Sequence, residues 1–420
     1  MRVLAIADDL TGAAETAAAL RETVTNVTLL LDADLTEEPD EDTSVGSHAV
    51  SASSAVVLDL DTRSAEPAAI APRVRRATLG TPHDLLFIKV DSLLRGRIDL
   101  VLSALPTQGV VLCPASPRLR RTVEGSVVTV AGRPLSETDA WRHERTDAPR
   151  TVADAIGDRL WSPLDLTVVR DPQSIRSSIT TAVRSGRTVL CDAVDENDLV
   201  RIAAAALSVL PRPALAGSAS LARAVGMSIA TGAPASDHAI RGPEHVSRLP
   251  SDAERPALII VGSAEPIAQA QLAALSDGIP VIRASAQDLA HPERTAKTVR
   301  AALAGGIAAV SAVVEDGTSL VSAQLARVTA ALAGDDPDLS LILIGGETAR
   351  RALDAMSVSH VDVLGSVHRR TGEVEPGAVR MRTPGGRLII TRPGSYGRED
   401  SLTVLVDDLT ARAVSKGNHA

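Results

Sequence analysis

The chain has 420 residues, of which 23% are charged and 45% hydrophobic, and its formal net charge is -9. This length exceeds what one ordinary hydrophobic core holds, so two domains are expected. The acidic balance argues against a partner made of nucleic acid, and the few aromatic residues exclude stacking platforms for bases.

Cysteine usage and hydropathy bear on where the protein works. Cys113 and Cys191 are isolated in apolar surroundings, which predicts buried thiols in a reducing compartment. The sequence shows no leader of the basic-then-apolar type and no run of ~20 apolar residues. We therefore expect a cytoplasmic protein that does not bind membranes.

In the first half of the chain, short apolar runs alternate with longer Ala-, Leu- and Arg-rich stretches of helical period. This alternation is typical of βα units and a mostly parallel sheet. Strands are predicted over residues 2–6, 27–31, 55–59, 85–90, 110–113, 188–192 and 214–216. Helices are predicted over 12–21 and 67–79, and the acidic, Ser-rich segment 32–54 predicts a surface loop or a partly disordered insertion.

A Pro- and Gly-rich polar tract over residues 231–256 interrupts this pattern and predicts a domain boundary. The βα alternation then resumes, with strands predicted over 257–261, 281–282, 308–314, 339–344 and 388–391. The predicted fold class is α/β, with two domains that are each a mostly parallel sheet flanked by helices. The predicted domains are 1–230 and 257–412, with a linker at 231–256 and a tail at 413–420.

Asp8 and Asp9 follow the first predicted strand directly and precede a turn at Gly12. The carboxyl end of a strand is where ligands bind in an open α/β sheet. Two adjacent carboxylates repel each other, so we expect a metal ion, a cationic side chain or a shared proton to offset the repulsion. Alternatively, one Asp caps the following helix and the other is solvated.

Cations gather at further strand ends of the first domain. Lys89 lies inside a predicted strand, so its ammonium needs a buried anion, which Asp8 or Asp9 could supply. Arg63 follows another strand, whereas most of the cluster 118–121 is expected to be solvated. An acidic pair with converging cations suits a small hydroxy-carboxylate as ligand.

Glycines mark three strand ends of the second domain. They occur at Gly262-Ser263, at Gly345-Gly346 and at Gly394, where Arg392 could reach a phosphate. Glycines let the backbone approach a ligand closely, and a helix N-terminus offers free N–H groups to a phosphate. Tight strand-to-helix turns are the alternative interpretation, and neither a P-loop motif nor a dinucleotide fingerprint is present.

Several segments of the sequence together resemble the four-carbon acid sugar kinase family. They are IADDLTGA at 6–13, KVDSLLRG at 89–96, GSASLA at 217–222, VGS at 261–263, GGETA at 345–349 and EVEPG at 373–377. The resemblance implies an N-terminal substrate domain and a C-terminal nucleotide domain. It also implies ATP-dependent phosphorylation of the terminal hydroxyl of an acid such as threonate, erythronate or 3-oxo-tetronate.

The resemblance also assigns residues to each ligand by position. Around the acid sugar it places Asp8, Asp9, Arg63, Lys89, Asp91, Ser92 and Arg95. Around the nucleotide it places Ser263, Gly345, Gly346, Glu347, Thr348 and Gly394. The chain departs from the family pattern at Ala14-Glu15, where Asn-Asp is usual, and at Arg392, where lysine is usual.

Phosphoryl transfer requires in-line alignment, Mg²⁺ and cations to neutralise the γ-phosphate, and a carboxylate to accept the hydroxyl proton. We expect Asp9 to be this base, with Asp8 orienting it or holding the substrate. Lys89 and Arg95 are expected to bind the substrate carboxylate or the transferring phosphoryl group. Domain closure would bring the two ligands together, which makes 231–256 a candidate hinge.

Two alternatives to a kinase remain open from the sequence. An aspartate-dependent sugar phosphatase also places acids after its first strand, although it requires alternating rather than adjacent aspartates. A non-catalytic acid-sugar sensor on the same fold is suggested by Ala14 and Arg392. A homodimer is expected as a possible assembly. The sequence does not indicate which residues would hold a metal.

Overall fold

A computed structural model describes residues 1–31, 53–107, 109–142, 144, 146–231, 255–275, 278–312 and 319–410 of the chain. The chain divides into two compact units, Met1–Arg241 and Gly242–Ala420. Nearly all of the predicted linker and of the predicted insertion at 32–54 lies outside the described residues, as does the tail.

The first unit is built on a parallel sheet with a small antiparallel sheet beside it. Its strands in chain order are β1 (Arg2–Ala7), β2 (Asn26–Leu31), β3 (Ser54–Asp59), β4 (Leu85–Lys89), β5 (Val110–Cys113), β6 (Arg121–Glu124), β7 (Val127–Val130), β8 (Arg133–Pro134), β9 (Trp161–Leu164), β10 (Thr188–Cys191) and β11 (Ala214–Gly217). The parallel sheet has the order β2-β3-β1-β4-β11-β5-β10-β9, and β6, β7 and β8 form the antiparallel one.

The helices of this unit connect the strands as expected for βα units. They are α1 (Leu10–Arg21), α2 (Pro67–Gly80), α3 (Ile98–Ser103), α4 (Leu166–Arg170), α5 (Pro172–Arg184), α6 (Glu196–Leu207) and α7 (Ala219–Thr231). Helix α1 packs against β2, β3 and α7. Its Ala-rich sequence lets it approach the sheet closely, and Ala13, Ala14 and Ala17 are fully buried.

The second unit has one mixed sheet. Its strands are β12 (Ala257–Val261), β13 (Val281–Ala284), β14 (Ile307–Ala312), β15 (Ser340–Ile344), β16 (His360–His368), β17 (Val374–Arg382) and β18 (Leu388–Arg392). Its helices are α8 (Pro266–Ala274), α9 (Ala286–Leu289), α10 (Pro292–Leu303), α11 (Ser319–Asp335), α12 (Gly346–Ala355) and α13 (Ser401–Thr410). The order is β13-β14-β12-β15-β18-β17-β16, parallel up to β18 and antiparallel beyond it.

The α/β fold class predicted from the sequence is confirmed. Strands β4, β12, β15 and β18 are buried along their whole length, as parallel strands covered on both faces must be. Their continuous runs of Val, Ile and Leu made these strands recognisable. Among the described residues, no helix is both long and apolar enough to cross a membrane.

The prediction missed the strands that do not form such runs. Strand β9 contains Pro163 and lies at the sheet edge, where a missing N–H is tolerated. Strands β6 to β8 are two to four residues long. Strands β16 and β17 alternate polar and apolar residues, and their pairing is irregular around Gly365.

A buried ionic network joins β17 to the end of β18 in the second unit. Glu375 and Arg392 are both 0% exposed, and Arg392 Nη1 lies 3.5 Å from Glu375 Oε1. The other oxygen of Glu375 is 2.7 Å from Arg369 Nε. Gln271 accepts a hydrogen bond from Arg392 and donates one of 3.1 Å to the carbonyl of Tyr396. The network therefore fixes the loop that follows β18.

Removing the charge of Glu375 should strongly destabilise the second unit, because it leaves the buried Arg392 charge uncompensated. We expect Glu375→Gln to lower the free energy of unfolding by about 3–5 kcal/mol. Chemical denaturation measures this loss. The control is Glu373→Gln, which breaks an exposed pair with Arg398 and should cost about 0–1 kcal/mol. Equal losses in the two variants would contradict the prediction.

Candidate active site and nucleotide site

In the first unit, polar side chains follow strands that lie side by side in the sheet order β3-β1-β4-β11-β5. Because all these strands are parallel, their carboxyl ends meet at one edge. The residues that follow them are Arg63 after β3, Asp8 and Asp9 after β1, Asp91, Ser92 and Arg95 after β4, Ser218 and Ser220 after β11, and Ser116 after β5. This is the candidate active site.

Arg63 bridges the two adjacent aspartates. Its Nε and Nη2 lie 2.9 Å from the two carboxylate oxygens of Asp8, and its Nη1 lies 3.0 Å from Asp9 Oδ2. The Asp8 carbonyl also accepts the backbone N–H of Arg63 at 3.0 Å. Of the three ways to offset the repulsion that the sequence left open, the structure therefore shows a cationic side chain.

Asp9 is also the cap of helix α1. Its Oδ1 accepts the N–H of Gly12 at 2.9 Å, and its Oδ2 accepts the hydroxyl of Thr11 at 2.8 Å. A Cβ at position 12 would lie 2.7 Å from Asp9 Oδ1 and 3.2 Å from Lys89 Nζ. Glycine at position 12 thus lets α1 begin against the Asp9 carboxylate and the Lys89 ammonium.

The two aspartates have opposite pKa shifts. Burial raises the pKa of Asp8, and the charge of Asp9 adds to this against the opposing effect of Arg63. Burial also acts to raise the pKa of Asp9, but Arg63, Lys89 and the hydrogen bonds from Gly12 and Thr11 outweigh it, so the pKa is lowered. At neutral pH Asp9 is therefore the firmly ionised member of the pair.

The segment after β4 supplies the remaining predicted residues. Lys89 is 7% exposed, and its charge lowers the pKa of both Asp9 and Asp91. Asp91 forms an ion pair with Arg95 four residues later, which holds its pKa well below the usual range despite burial. Gly96 adopts φ +89°, and a Cβ there would lie 2.5 Å from Asp8 Oδ2.

Sequence reasoning missed two charged members of this cluster. Most of the cluster 118–121 was expected to be solvated, but Arg121 is 9% exposed, and its Nη1 donates a 2.6 Å hydrogen bond to Ser92. The expectation holds better for Arg118, whose side chain is 42% exposed. The second is Glu15, noted in the sequence only as a departure from the family pattern. The sequence did contain one signal for Glu15, because it lies three residues after Gly12 and residues three apart share one face of a helix.

Glu15 differs from the other carboxylates of the site. Burial raises its pKa to about 6, in the presence of the charges of Lys89, Asp9, Arg121 and Asp91. Its Oε1 is buried and accepts no hydrogen bond from any described residue.

In the second unit, the three predicted glycine-bearing strand ends are adjacent, because β12, β15 and β18 are neighbours. A Cβ at Gly394 would lie 2.1 Å from Ser263 Oγ, and one at Gly262 would lie 1.9 Å from Thr348 Oγ1. Gly345 donates its N–H to the Arg392 carbonyl at 2.9 Å. These three ends and their residues form the candidate nucleotide site.

Helix α12 begins at this site. Gly345 precedes it with φ +107° and provides no side-chain cap, so the first N–H groups of the helix are available to an anion. Gly346 and Glu347 form its first turn with Thr348, and Glu347 Oε1 is buried without a hydrogen bond from the described residues.

The expectation that Arg392 could reach a phosphate is wrong. Its guanidinium is fully buried on Glu375 and Gln271, and burial lowers its pKa to about 10. Arg392 therefore stabilises, from within the core, the loop that contains Gly394. In the described part of the chain, no group of three or more His, Cys, Asp or Glu side chains is arranged to hold a metal ion.

The raised pKa of Glu15 makes a prediction for stability against pH. The folded chain holds the Glu15 proton more tightly than the unfolded chain, whose pKa is near 4.5. This contribution to stability is complete below about pH 4.5 and is lost as the pH rises through about 6. Glu15→Gln should therefore raise the free energy of unfolding by about 2 kcal/mol at pH 7.5 and hardly at pH 4.

Urea denaturation at the two pH values measures this difference. An equal effect of the substitution at both pH values would show that the Glu15 pKa is not raised in the folded chain.

Comparison with known proteins finds one domain family within each of the two units. A sugar-binding N-terminal domain family matches residues 3–225, and a nucleotide-binding C-terminal domain family matches residues 258–402. The chain is 30% identical to a D-threonate kinase of Cupriavidus necator, over 96% of both chains. It is 26% identical to a D-threonate kinase of Bordetella bronchiseptica, over 79% of both chains.

Solved structures show the same fold. A Salmonella typhimurium LT2 protein superposes with a TM-score of 0.72 at 19% identity, over 96% of this chain and 98% of that one. A Haemophilus influenzae protein superposes with a TM-score of 0.66 at 18% identity, over the same shares. With both domain families present and a relative matched over nearly its whole length, the chain belongs to the four-carbon acid sugar kinase family and is a phosphotransferase that acts on a hydroxyl group.

Proposed function

We propose that this protein uses ATP to phosphorylate the terminal hydroxyl of a four-carbon acid sugar of the threonate, erythronate or 3-oxo-tetronate type. The observation that carries the proposal is the ionised Asp9 beside Lys89 and Arg63 at the carboxyl edge of the first sheet. The D-threonate kinases that match this chain support the substrate class.

The acid sugar is an anion, and the cations of the candidate active site suit it. Lys89 and Arg95 bind the substrate carboxylate or the transferring phosphoryl group, with Arg63 and Ser92 beside them. Asp91 holds Arg95 in position by their ion pair. A guanidinium favours a carboxylate or phosphoryl ligand because it can donate two parallel hydrogen bonds.

Asp9 serves as the base in this proposal. A carboxylate has about four lone-pair sites. On Asp9, one oxygen accepts from Gly12 and the other from Thr11, and Arg63 forms an ion pair with the same carboxylate. Lone-pair sites therefore remain for the proton of the terminal hydroxyl. As that oxygen bonds to the γ-phosphorus, the bond to the bridging oxygen breaks and ADP leaves. Asp8, held by two hydrogen bonds, keeps Arg63 in place.

ATP is assigned to the second unit, where the nucleotide-binding family matches. The glycines of the three strand ends and Ser263 let the phosphates approach the backbone, and the N-terminus of α12 attracts their charge. The oxygen donors of Glu347 and Thr348 fit Mg²⁺, which binds through one or two carboxylates plus substrate phosphates. When bound, Mg²⁺ would neutralise charge on the γ-phosphate.

The test is ADP release with ATP and Mg²⁺ against D- and L-threonate, D- and L-erythronate and 3-oxo-tetronates. We expect turnover on one of these acids, and Asp9→Asn should lower kcat by about 10²–10⁴-fold because it removes the base. Asn still caps a helix, so α1 is retained. The matched control is Asp171→Asn, which alters the cap of α5 and should leave kcat within about twofold.

Binding of an acid without turnover would instead favour the sensor, and phosphate release from a sugar phosphate without ATP would favour the phosphatase. The named relatives favour neither.

A second prediction concerns the nucleotide site. Gly394→Ala places a methyl group against Ser263, so it should raise the KM for ATP about tenfold or more, with little change in the KM for the acid. Gly385→Ala is the control, since a Cβ there would meet only Thr383 Oγ1 at 3.9 Å. Steady-state kinetics with each substrate varied in turn measures both constants. An equal rise in both would contradict the assignment of Gly394 to ATP.

A further inference from the structure

Glu15 carries a chemical capacity that the proposed mechanism does not use. It lies on α1 three residues after Gly12, and residues three apart share one face of a helix. At Gly12 this face meets Asp9 Oδ1 and Lys89 Nζ. Lys89 from β4, Asp9 from the start of α1, Arg121 from β6 and Asp91 after β4 are the charges that act on Glu15. Its carboxylate therefore belongs to the candidate active site.

The other carboxylates of the site are engaged by protein groups. Both oxygens of Asp8 accept from Arg63, and both oxygens of Asp9 accept protein hydrogen bonds. Asp91 is paired with Arg95. In contrast, Glu15 Oε1 is buried and has no hydrogen-bond partner among the described residues. A buried acceptor without a partner is costly, so it suits a donor that arrives with a ligand.

The chemistry of an acid sugar supplies such a donor. Its carboxylate is satisfied by the cations of the site, and its terminal hydroxyl is the phosphoryl acceptor. The secondary hydroxyls remain, and each needs an acceptor when it is removed from water. A site built to hydrogen-bond a hydroxyl strongly rejects the analogue that lacks it, because the acceptor is then left unpaired.

We propose that Glu15 Oε1 accepts a hydrogen bond from a secondary hydroxyl of the acid sugar and thereby selects which four-carbon acid binds. This inference rests on the proposed function. Glu15 is a specificity-determining residue in it, and the proton transfer remains with Asp9.

The test is a cycle that combines removal of the Glu15 side chain with removal of one secondary hydroxyl from the substrate. Glu15→Ala should lower kcat/KM about 10- to 100-fold on the acid that the unsubstituted protein prefers, mainly through KM. The unsubstituted protein should lose a similar factor on either 3,4-dihydroxybutanoate or 2,4-dihydroxybutanoate, which lack one secondary hydroxyl each. With that analogue, Glu15→Ala should have little further effect.

Glu15→Gln keeps an acceptor without the charge. Its kcat/KM should therefore lie between those of the unsubstituted protein and Glu15→Ala. For the unsubstituted protein, KM for the preferred acid should rise below about pH 6, and this rise should be absent in Glu15→Gln. Glu22→Gln at the end of the same helix is the control and should stay within about twofold.

The proposal would be overturned if the loss in kcat/KM from Glu15→Ala and the loss from the missing hydroxyl multiplied fully with both analogues. It would also be overturned by an unchanged kcat/KM in Glu15→Ala. A fall in kcat at constant KM would also overturn it, because Glu15 would then act on the chemical step. The same cycle can be measured as Kd by calorimetry without ATP. Binding without turnover would contradict the kinase alone and still test Glu15, whereas binding of no four-carbon acid would overturn both.

Discussion

The first unit depends on one constraint, the placement of two adjacent carboxylates at the end of a buried strand. Asp8 and Asp9 would repel each other strongly at this depth, and the guanidinium of Arg63 makes the arrangement stable by contacting both. Arg63 arrives from the end of β3, the neighbour of β1 in the sheet. Gly12 and Gly96 leave the space in which the backbone approaches the two carboxylates.

This arrangement gives two chemically similar side chains different properties. Asp9 receives an N–H, a hydroxyl and part of a guanidinium, so it stays ionised. For Asp8, the charges of Arg63 and Lys89 do not outweigh its burial and the charge of Asp9, and its pKa rises. Local hydrogen bonding, more than distance from solvent, thus separates their pKa values.

The second unit meets a comparable requirement without an acidic pair. Its candidate nucleotide site is made of backbone at three neighbouring strand ends, where side chains would collide. Such backbone needs support, and the fully buried pair of Glu375 and Arg392 supplies it beneath the loop after β18. Breaking a buried ion pair from one side leaves an uncompensated charge, so this loop and the core of the unit depend on the same contacts.

Glu15 shows the opposite relation between site and stability. Its burial opposes ionisation, so the folded chain is less stable at neutral pH than it would be with a neutral side chain there. Violations of the rules for stable folding concentrate where a ligand is expected to supply the missing partner.

The sequence by itself determined the fold class, the buried parallel strands and the strand ends that carry acids, cations and glycines. Continuous apolar runs and turns depend on residues that are close in sequence, so they can be predicted without a structure. The antiparallel strands β16 and β17 were not predicted, because an alternation of polar and apolar residues that a glycine interrupts is a weak local signal. Several partners of the charged groups could not be predicted from the sequence either. That Arg121 contacts Ser92, that Arg392 is buried on Glu375, and that Glu15 keeps an oxygen without a partner were decided by tertiary structure alone, because strand order and burial bring together groups that are distant in the chain.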